Sequence, residues 1–355
     1  MRVGAGRLRP ELEGPSPRVA IVMLSAIGDA VHVLPIANAL RRAAPKMKLT
    51  WVIQPVPYKL VHNHPAVDEF IVFPRRRGLK GIGGFIATRR ELRRHRFDLV
   101  IGLQVYFKAG VLTGLANASV KLGFDRRRAR DLNWLFTTER IPPHEDQHVQ
   151  DQYLEFLDYL GVEHDPLGWG IVISDEEREE QRKFFERIEK PICSVVVGTS
   201  KPRKDWPLER YARLLEIIEG DFGFQTVIVG GPSEGERAAA AEVMELTRAQ
   251  PLDECGDDLR RLVYLVDGSD ILVSPDTGPL HISRALDTPV VGIYGFTNPK
   301  RTGPYRKYVD LVVDGYARYP GEDYPVTMEY RPDGMGRVTV EMAAEKFQLA
   351  VNKYL

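Results

Sequence analysis

The feature that most constrains the fold is an alternation of short, nearly continuous apolar runs with segments whose apolar residues recur at helical spacing. Runs rich in Val, Ile and Leu are typical of parallel strands covered on both faces, with helices as the crossovers. The predicted strands are 19–24, 49–53, 70–73, 98–103, 192–197, 225–229, 270–273 and 290–294. The main predicted helices are 34–44, 83–95, 147–160, 207–219, 233–247, 258–266, 278–286 and 339–354. The pattern predicts an α/β fold with doubly wound parallel sheets.

The length and one weak segment predict two domains. At about 150 residues per domain, 355 residues are enough for two complete cores. The strand and helix pattern weakens at 164–170 (HDPLGWG), which follows a predicted helix end at Gly161. We therefore expect a flexible tail (1–17), an N-terminal domain (18–168) and a C-terminal domain (169–355), with a cleft between the domains. The last helix is expected to pack back on the N-terminal domain.

Composition excludes several classes of protein. The chain is 43% apolar and 28% charged, which is ordinary for a globular protein and not for a disordered or fibrous one. No apolar run approaches the roughly 20 residues that a membrane-spanning helix needs, and residues 1–17 do not have the pattern of a signal peptide. Two cysteines, Cys193 and Cys255, exclude a disulfide framework. These observations predict a cytoplasmic protein.

The net charge of zero conceals an asymmetry. Positions 18–165 hold 22 basic and 15 acidic residues, whereas positions 166–355 hold 24 basic and 32 acidic. A basic half and an acidic half suggest different partners for each. The most basic stretch, 75–96, has nine Lys or Arg and one acid. It is either a solvated helix face or a surface for an anionic substrate or lipid headgroups.

The first predicted strand is followed by residues 25–29 (SAIGD). In an open parallel sheet, the turn after a strand faces the ligand crevice. Gly28 permits a tight turn, and Asp29 either caps the next helix or directs its carboxylate into the crevice. The G-x-G-x-x-G fingerprint of a dinucleotide site is absent here, which argues against a nicotinamide enzyme.

Three strand ends in the second half carry groups suited to a nucleotide sugar. Loop 197–207 (VGTSKPRKDWP) has two hydroxyls and three cations beside a helix start, which suits phosphate. Loop 230–234 (GGPSE) ends in a glutamate that can accept hydrogen bonds from a sugar. Loop 274–281 (SPDTGPLH) opens a helix whose N–H groups favour a pyrophosphate. The simpler alternatives are a solvated basic loop and a capped helix; the three loops together favour a nucleotide-sugar pocket.

One metal-binding motif is present but rejected, and another is missing from the sequence. Residues 144–148 match H-E-x-x-H, but they follow Pro142-Pro143 and have no evident third ligand nearby, so a zinc protease is not expected. A D-x-D tripeptide, which often holds a divalent metal on a nucleotide diphosphate, occurs nowhere in the chain. The sequence thus favours metal-independent chemistry.

These segments, in this order, resemble glycosyltransferase family 9, the lipopolysaccharide heptosyltransferases. The resemblance runs from about Val19 to Pro304 and rests on SAIGDAVHVLPIANALRRAAP, the loop with KDWP, VGGPSE and SPDTGPLHISRALDTPVVGIYGFTNP. It implies a GT-B fold of two Rossmann-like domains facing a central cleft. The acceptor would bind the N-terminal half and an ADP-sugar the C-terminal half. It also implies inverting transfer without a metal, so no cofactor is expected.

The resemblance assigns roles to individual residues. Asp29 matches the general base, and Lys204 matches the lysine on the donor phosphates, with Thr199 and Ser200 as the hydroxyl pair beside it. Glu234 matches the glutamate on the donor ribose. The D-T-G-x-x-H donor loop corresponds to Asp276, Thr277, Gly278 and His281. The acceptor-binding positions correspond to Arg76 and Arg130, each inside an arginine cluster.

The implied function is transfer of a sugar, foremost heptose from ADP-heptose, to a hydroxyl of an anionic lipopolysaccharide-core or related glycan acceptor. That acceptor implies peripheral contact with the cytoplasmic face of the inner membrane; no nucleic-acid partner is expected. Phe296 and the stretch 315–337 depart from the family pattern, which leaves the donor sugar open. The alternatives are a GT-B nucleotide-sugar 2-epimerase and a non-catalytic nucleotide-sugar-binding module.

Overall fold

A computed structural model describes residues 8–74 and 79–355. The chain divides into two compact units. Unit 1 comprises the described residues up to Glu145 together with Gln150–Val172, and unit 2 comprises Asp146–Val149 with Ile173–Leu355. Among the described residues, every helix is too short or too polar to cross a bilayer.

Unit 1 is built on a six-stranded, wholly parallel sheet. Its strands are β1 (Arg18–Val22), β2 (Lys48–Ile53), β3 (Glu69–Val72), β4 (Phe97–Gly102), β5 (Ala118–Gly123) and β6 (Glu139–Arg140). Their order across the sheet is β3-β2-β1-β4-β5-β6. The helices are α1 (Pro10–Glu13), α2 (Ile27–Ala43), α3 (Pro55–Val61), α4 (Leu79–Arg94), α5 (Phe107–Leu115) and α6 (Val149–Leu160).

The centre of this sheet forms from its most apolar strands. In β1, every residue after Arg18 is buried, and the strand pairs in parallel with both β2 and β4. Strands are added on one side of β1 as far as β3 and on its other side from β4 onward. The loops after β1 and β4 therefore lead away from each other and leave a crevice at the carboxyl ends of these two strands. Gln104, just after β4, binds the loop after β1: its amide donates to the Ser25 carbonyl at 2.6 Å and accepts from the Leu24 N–H at 3.2 Å.

The segment before β1 is tied to unit 1. Leu12, in α1, is 3% exposed, and the Arg9 N–H donates to the Leu160 carbonyl at 3.1 Å. The Arg9 guanidinium also pairs with Glu139 at 2.9 Å and lies over the Tyr159 ring. These contacts hold residues 9–13 against unit 1, whereas a flexible tail was predicted over 1–17.

Unit 2 repeats the arrangement of unit 1. Its parallel strands are β7 (Ile192–Val195), β8 (Gln225–Ile228), β9 (Leu252–Asp253), β10 (Ile271–Pro275), β11 (Val290–Tyr294) and β12 (Val312–Asp314). Their order, β12-β11-β10-β7-β8-β9, puts a second switch point between β7 and β10. The helices are α7 (Asp175–Phe185), α8 (Leu208–Gly220), α9 (Glu234–Leu246), α10 (Leu259–Asp267), α11 (Gly278–Leu286), α12 (Pro299–Thr302), α13 (Gly334–Arg337) and α14 (Val340–Tyr354).

The last helix, α14, packs on α8 and on the edge strands β11 and β12 of unit 2. Its buried residues, Ala343, Phe347 and Ala350, recur at helical spacing. Arg331 contacts other parts of the stretch 315–337. The Arg331 guanidinium pairs with Glu322 at 2.8 Å and lies 4.2 Å from the centre of the Tyr316 ring.

The eight predicted strands lie within two residues of observed strands, whereas β5, β6, β9 and β12 were not predicted. The start of α2 was also placed wrongly. The helix was predicted over 34–44, with Pro35 in its first turn, but it begins at Ile27. Pro35 therefore lies inside the helix, where it removes one backbone hydrogen bond. The early start puts Asp29 in the first turn of α2, which matters for its role.

Candidate functional site

Lys204 and Asp276 connect the two loops at the switch point of unit 2. Lys204 ends a short 3-10 helix (Pro202–Lys204) after β7, and Asp276 directly follows β10. The Lys204 Nζ donates to Asp276 Oδ2 at 2.6 Å and to the Asp276 carbonyl at 2.9 Å. The carboxyl ends of parallel strands meet at one edge of a sheet, which is why a lysine and an aspartate so far apart in sequence form this pair.

Asp276 is the centre of a larger polar cluster. It is 7% exposed; Thr297 Oγ1 donates to Asp276 Oδ2 at 2.7 Å, and His281 Nε2 lies 3.7 Å from Asp276 Oδ1. Burial by itself would raise the pKa of the Asp276 carboxyl, but the nearby His281 and the charge of Lys204 outweigh it and hold that pKa well below its usual range. Asp276 therefore remains ionised and fixes both the cation and the imidazole.

Thr277 and Gly278 form the start of α11. Thr277 is the residue before the helix; its Oγ1 lies 3.1 Å from Ser274 Oγ and does not cap the first turn. Pro279 occupies the second helical position, where its lack of an N–H costs nothing. Residues 277–279 are half-buried, so the start of this helix presents backbone N–H groups and the positive end of its dipole beside Lys204 and Asp276.

Thr199 and Ser200 precede Lys204 on the loop after β7. Thr199 Oγ1 donates to the Lys201 carbonyl at 2.7 Å and accepts from the Lys201 N–H at 3.0 Å, which closes a tight turn. Ser200 is exposed. Burial raises the pKa of the Asp205 carboxyl, against the opposing effect of its hydrogen bonds from Thr199. The predicted hydroxyl pair thus contains one hydroxyl that holds the loop and one that faces solvent.

The loop after β8 contains two glutamates with different surroundings. Glu234 begins α9 and is exposed. Glu236 turns back on the loop: its carboxylate accepts from the Gly231 N–H at 3.1 Å and from Ser233 Oγ at 2.5 Å. Sequence reasoning singled out Glu234 and missed Glu236, although Ser233 and Glu236 have the spacing of a capping box. Glu236 orders the loop, and Glu234 presents its carboxylate to solvent.

Phe296 and Tyr330 form a parallel stack beside the Asp276 cluster. Their ring centroids are 4.7 Å apart with an interplanar angle of 9°. Phe296 precedes Thr297, and its carbonyl accepts from the Arg331 N–H at 3.0 Å. The two departures from the family pattern, Phe296 and the stretch 315–337, are therefore in contact with each other.

Asp29 lies at the switch point of unit 1. It is half-buried in the first turn of α2, where its Oδ2 accepts from the Ala26 N–H at 2.8 Å. The hydroxyl of Tyr153, on α6, donates to Asp29 Oδ1 at 3.2 Å. The capping role that the sequence left open is present, and a phenol from a distant helix fixes the second oxygen. Tyr153 was missed because only the fold brings α6 to this strand end.

The arginines that follow β5 have different surroundings. Arg128 is largely buried and pairs with Asp125 and, at 2.7 Å, with Glu155, so it serves the fold. Arg130 is exposed, and its N–H donates to the Val105 carbonyl at 2.9 Å, which places it beside the loop after β4. The other predicted acceptor residue, Arg76, lies outside the described residues.

The H-E-x-x-H histidines have separate surroundings. His144 is exposed and contacts the neighbouring Glu145 carbonyl through Nδ1 at 3.0 Å. His148 Nε2 lies 3.0 Å from the Gly303 carbonyl, and its ring packs on Tyr305. Over residues 8–74 and 79–355, neither histidine belongs to a group of three potential metal ligands.

Comparison with known proteins gives a family match over most of the chain. Residues 85–329 match the model of glycosyltransferase family 9 (heptosyltransferase). The lipopolysaccharide core heptosyltransferase OpsX of Haemophilus influenzae is 29% identical over 299 residues, which cover 84% of each chain.

Two solved structures share the fold. The glycosyl transferase family 9 protein of Veillonella parvula superposes with a TM-score of 0.80 at 24% identity, over 95% of this chain and 98% of that one. The Escherichia coli heptosyltransferase WaaC with ADP gives a TM-score of 0.73 at 23% identity, over 94% of this chain and 99% of that one. The expected α/β, GT-B fold class is confirmed. The chain belongs to glycosyltransferase family 9 (heptosyltransferase) and is a glycosyltransferase.

Proposed function

We propose that this glycosyltransferase transfers heptose from ADP-heptose to a hydroxyl of an anionic lipopolysaccharide-core acceptor, with inversion and without a metal. The observation that carries the proposal is the Lys204–Asp276 pair at the switch point, beside the half-buried start of α11. A cation and a helix start together suit a diphosphate. The relatives support the sugar, since OpsX is a lipopolysaccharide core heptosyltransferase and the WaaC structure contains ADP.

The donor half of the reaction uses unit 2. Lys204 and the N–H groups at the start of α11 bind the diphosphate, and Glu234 is placed to accept hydrogen bonds from the ribose. As the bond from the anomeric carbon to the diphosphate oxygen breaks, negative charge grows on the departing ADP. Fixed donors and a fixed cation stabilise that charge without reorganising. Asp276, held ionised, keeps Lys204 in place.

The acceptor half uses unit 1. The Asp29 carboxylate removes the proton of the acceptor hydroxyl while the hydroxyl oxygen forms its bond to the anomeric carbon. Attack comes from the face opposite the leaving ADP, so the configuration inverts and ADP leaves with the electron pair of the broken bond. General-base assistance of this kind contributes roughly 10²–10⁴ in rate. Tyr153 orients the carboxylate.

The acceptor assignment rests on charge. Positions 18–165 carry the basic excess of the chain, and Arg130 is exposed on the loop after β5. Arginine suits anionic sugars and phosphates because it can donate two parallel hydrogen bonds. An anionic core linked to lipid would bring the enzyme to the cytoplasmic face of the membrane as a peripheral protein.

The donor is tested by calorimetric titration of ADP, UDP and GDP into the protein in EDTA, followed by transfer from ADP-heptose to a lipopolysaccharide-core acceptor. We expect micromolar ADP affinity, much weaker UDP and GDP binding, and ADP release that depends on acceptor. A preference for UDP or GDP, or a need for Mg²⁺, would refute the donor assignment. Turnover of the nucleotide sugar without acceptor would instead favour an epimerase.

The base is tested by Asp29→Asn. The amide oxygen of asparagine can still accept from the Ala26 N–H, so the cap survives while the basic oxygen is lost. We expect transfer to fall at least about 100-fold and ADP affinity to change less than threefold. Asp98→Asn is the matched control: Asp98 Oδ2 accepts from the Arg18 N–H at the opposite end of β1. Retained transfer by Asp29→Asn would remove Asp29 from the base role.

A further inference from the structure

Four large apolar side chains are exposed together on unit 1. Tyr106 and Phe107, at the start of α5, are 48% and 50% exposed. Leu132 and Leu135, around the 3-10 helix that follows β5, are 57% and 56% exposed. Single exposed apolar residues are ordinary, but a group of them marks an interaction surface. We call these four residues the docking face.

Packing beneath these residues holds them side by side. The Asn133 amide donates to the Tyr106 carbonyl at 2.8 Å and to the Gln104 carbonyl at 3.1 Å. The Phe107 and Phe136 rings meet edge to face with centroids 5.5 Å apart. Phe136 in turn lies against Gly110 and Gly114 of α5, where a Cβ would stand within about 3 Å of its ring. The docking face is therefore a built surface on two interlocked elements.

Leu132 has a backbone conformation that its side chain does not favour. Its φ is 59° and its ψ is 19°, in the left-handed region, where leucine is uncommon and asparagine or glycine is preferred. The side chain is nonetheless held out into solvent, so it gains little from burial in this unit. Both features disfavour leucine at this position unless its side chain contacts another molecule.

Cations are close in sequence to the docking-face residues. Lys108, Arg126 and Arg127 are exposed, and Arg127 lies 3.5 Å from the exposed Glu145. The Arg126 guanidinium lies 4.2 Å from the centre of the Trp134 ring, and the Lys108 Nζ lies 6.0 Å from the centre of the Phe73 ring. In the stretch 126–135 the single acid is Asp131. Apolar side chains with a cationic rim suit the boundary between acyl chains and anionic headgroups.

The helix beside this surface extends the cationic area. α4 packs against α5, and Phe85 of α4 contacts Phe73 with ring centroids 4.9 Å apart. Ile86 of α4 is 58% exposed, and the exposed Arg89, Arg90 and Arg93 follow it at spacings that share one helix face. The pattern of an exposed apolar residue among cations therefore recurs on the neighbouring element.

We propose that the docking face binds an anionic lipid bilayer, with its four apolar side chains in the interface and its cations on the headgroups. This inference rests on the proposed function, because a lipid-linked acceptor lies at such a bilayer. A second copy of the chain fits less well, since pairing this face with itself would bring like charges together. Arg130, proposed to bind the acceptor, lies on the same loop as Leu132, so docking would bring the membrane to the acceptor site.

The test is flotation of the full chain with vesicles of neutral phosphatidylcholine and with vesicles containing 30% phosphatidylglycerol. We expect at least a tenfold preference for the anionic vesicles, weakened by high salt. Phe107→Ser and Leu132→Asn should each reduce binding at least about fivefold, and Lys108→Gln with Arg127→Gln should abolish the anionic preference. Tyr319→Ser, at a 63% exposed residue of unit 2, is the control and should bind as wild type.

Leu132→Asn separates docking from a structural role, because asparagine accepts the left-handed backbone better than leucine. Its melting temperature should equal or exceed that of wild type while vesicle binding falls. ADP affinity and transfer to a water-soluble, deacylated acceptor should be unchanged, and transfer to acceptor in vesicles should fall with binding. Equal binding to both vesicle types, or binding that the variants leave intact, would overturn the docking inference. If the wild-type protein did not bind ADP, that result would instead count against the proposed function.

Discussion

The Lys204 Nζ and the Asp276 Oδ2 are 2.6 Å apart, although 72 residues separate them in sequence. Lys204 therefore has an anionic partner within the protein before any diphosphate arrives. In the proposed reaction, a donor phosphate at Lys204 would share or replace this internal carboxylate and would also meet the N–H groups at the start of α11. The pair is the point at which the loops after β7 and β10 act as one site.

Replacing Lys204 should weaken donor binding and turnover together. A hydrogen bond from a charged group contributes about 1.5–3 kcal/mol, so Lys204→Ala should weaken ADP binding about 10- to 100-fold and lower kcat as well, because the cation meets charge in both ground and transition states. Calorimetry and steady-state kinetics measure both quantities. Lys201→Ala, three residues earlier on the same loop and exposed, is the control. If Lys201→Ala lost as much ADP affinity and kcat as Lys204→Ala, the total positive charge of the loop, and not the position of Lys204, would account for both.

Replacing Asp276 should destabilise unit 2. Asp276→Asn leaves Lys204 without its anionic partner, and breaking a buried pair typically costs about 3–5 kcal/mol. The double variant Lys204→Met, Asp276→Asn should recover part of that loss, because no unpaired charge remains. Urea unfolding of wild type, both single variants and the double variant gives the coupling energy. Additive losses would show that the two residues are independent in the folded state.

Tyr153 is expected to position Asp29. Tyr153→Phe removes the hydroxyl that donates to Asp29 Oδ1 and keeps the ring, so we expect kcat to fall about three- to tenfold while KM for donor and acceptor stays within twofold. Tyr159→Phe, six residues further along α6, is the control, since its hydroxyl donates to Glu139 instead. If Tyr153→Phe raised KM and left kcat unchanged, the hydroxyl would contact substrate and not the base.

His64 should make unit 1 less stable in mild acid. Its Nε2–H donates to the Trp169 carbonyl at 2.8 Å, and its Nδ1 accepts from the Ala66 N–H at 3.3 Å, so both nitrogens are used by a neutral ring. Burial lowers the pKa of this imidazole, against the opposing effect of the bond to Trp169. The unfolded chain binds the proton near pH 6.5, whereas the folded chain binds it only at lower pH.

Stability from the neutral His64 ring is therefore complete above about pH 6.5 and is lost as the pH falls through the lowered value. The free energy of unfolding should decrease by at most about 1.4 kcal/mol per pH unit from this group. Urea unfolding between pH 7.5 and 5 measures the decrease. His64→Gln should remove this part of the pH dependence, and His144→Gln, at an exposed histidine, should keep it. An unchanged slope in His64→Gln would exclude His64 as the source.

The sequence predicted that the loops after β7 and β10 meet, but it did not predict the side-chain contacts between them. Apolar runs identified β7 and β10, and parallel strands necessarily bring their carboxyl ends to one edge, so the loops with Lys204 and Asp276 were expected to meet. Thr297 belongs to the motif SPDTGPLHISRALDTPVVGIYGFTNP and also follows a strand. Nothing in the neighbouring sequence indicates that its hydroxyl donates to Asp276. Such contacts depend on side-chain directions that only packing sets.

Asp29 illustrates the opposite limit. Its place after β1 was predicted, but Gly28 and Pro35 weakened the helical pattern, and the start of α2 was placed seven residues too late. The burial of residues Ala30 to Ala37 outweighs those local penalties. Tyr153 could not be found from sequence, because its distance from Asp29 is set by how α6 crosses α2.

The strand order of the two sheets also governs how the chain can assemble during synthesis. In each sheet the first strand made is central, and its second neighbour is the fourth, so β1 remains half-paired until β4 leaves the ribosome. All six strands of the first sheet are complete at Arg140, while the second sheet does not begin until Ile192. At about 5–20 residues per second, translation leaves several seconds in which the strands of the first sheet can pair with one another. During that time no strand of the second sheet has been synthesised, so none can pair wrongly with them.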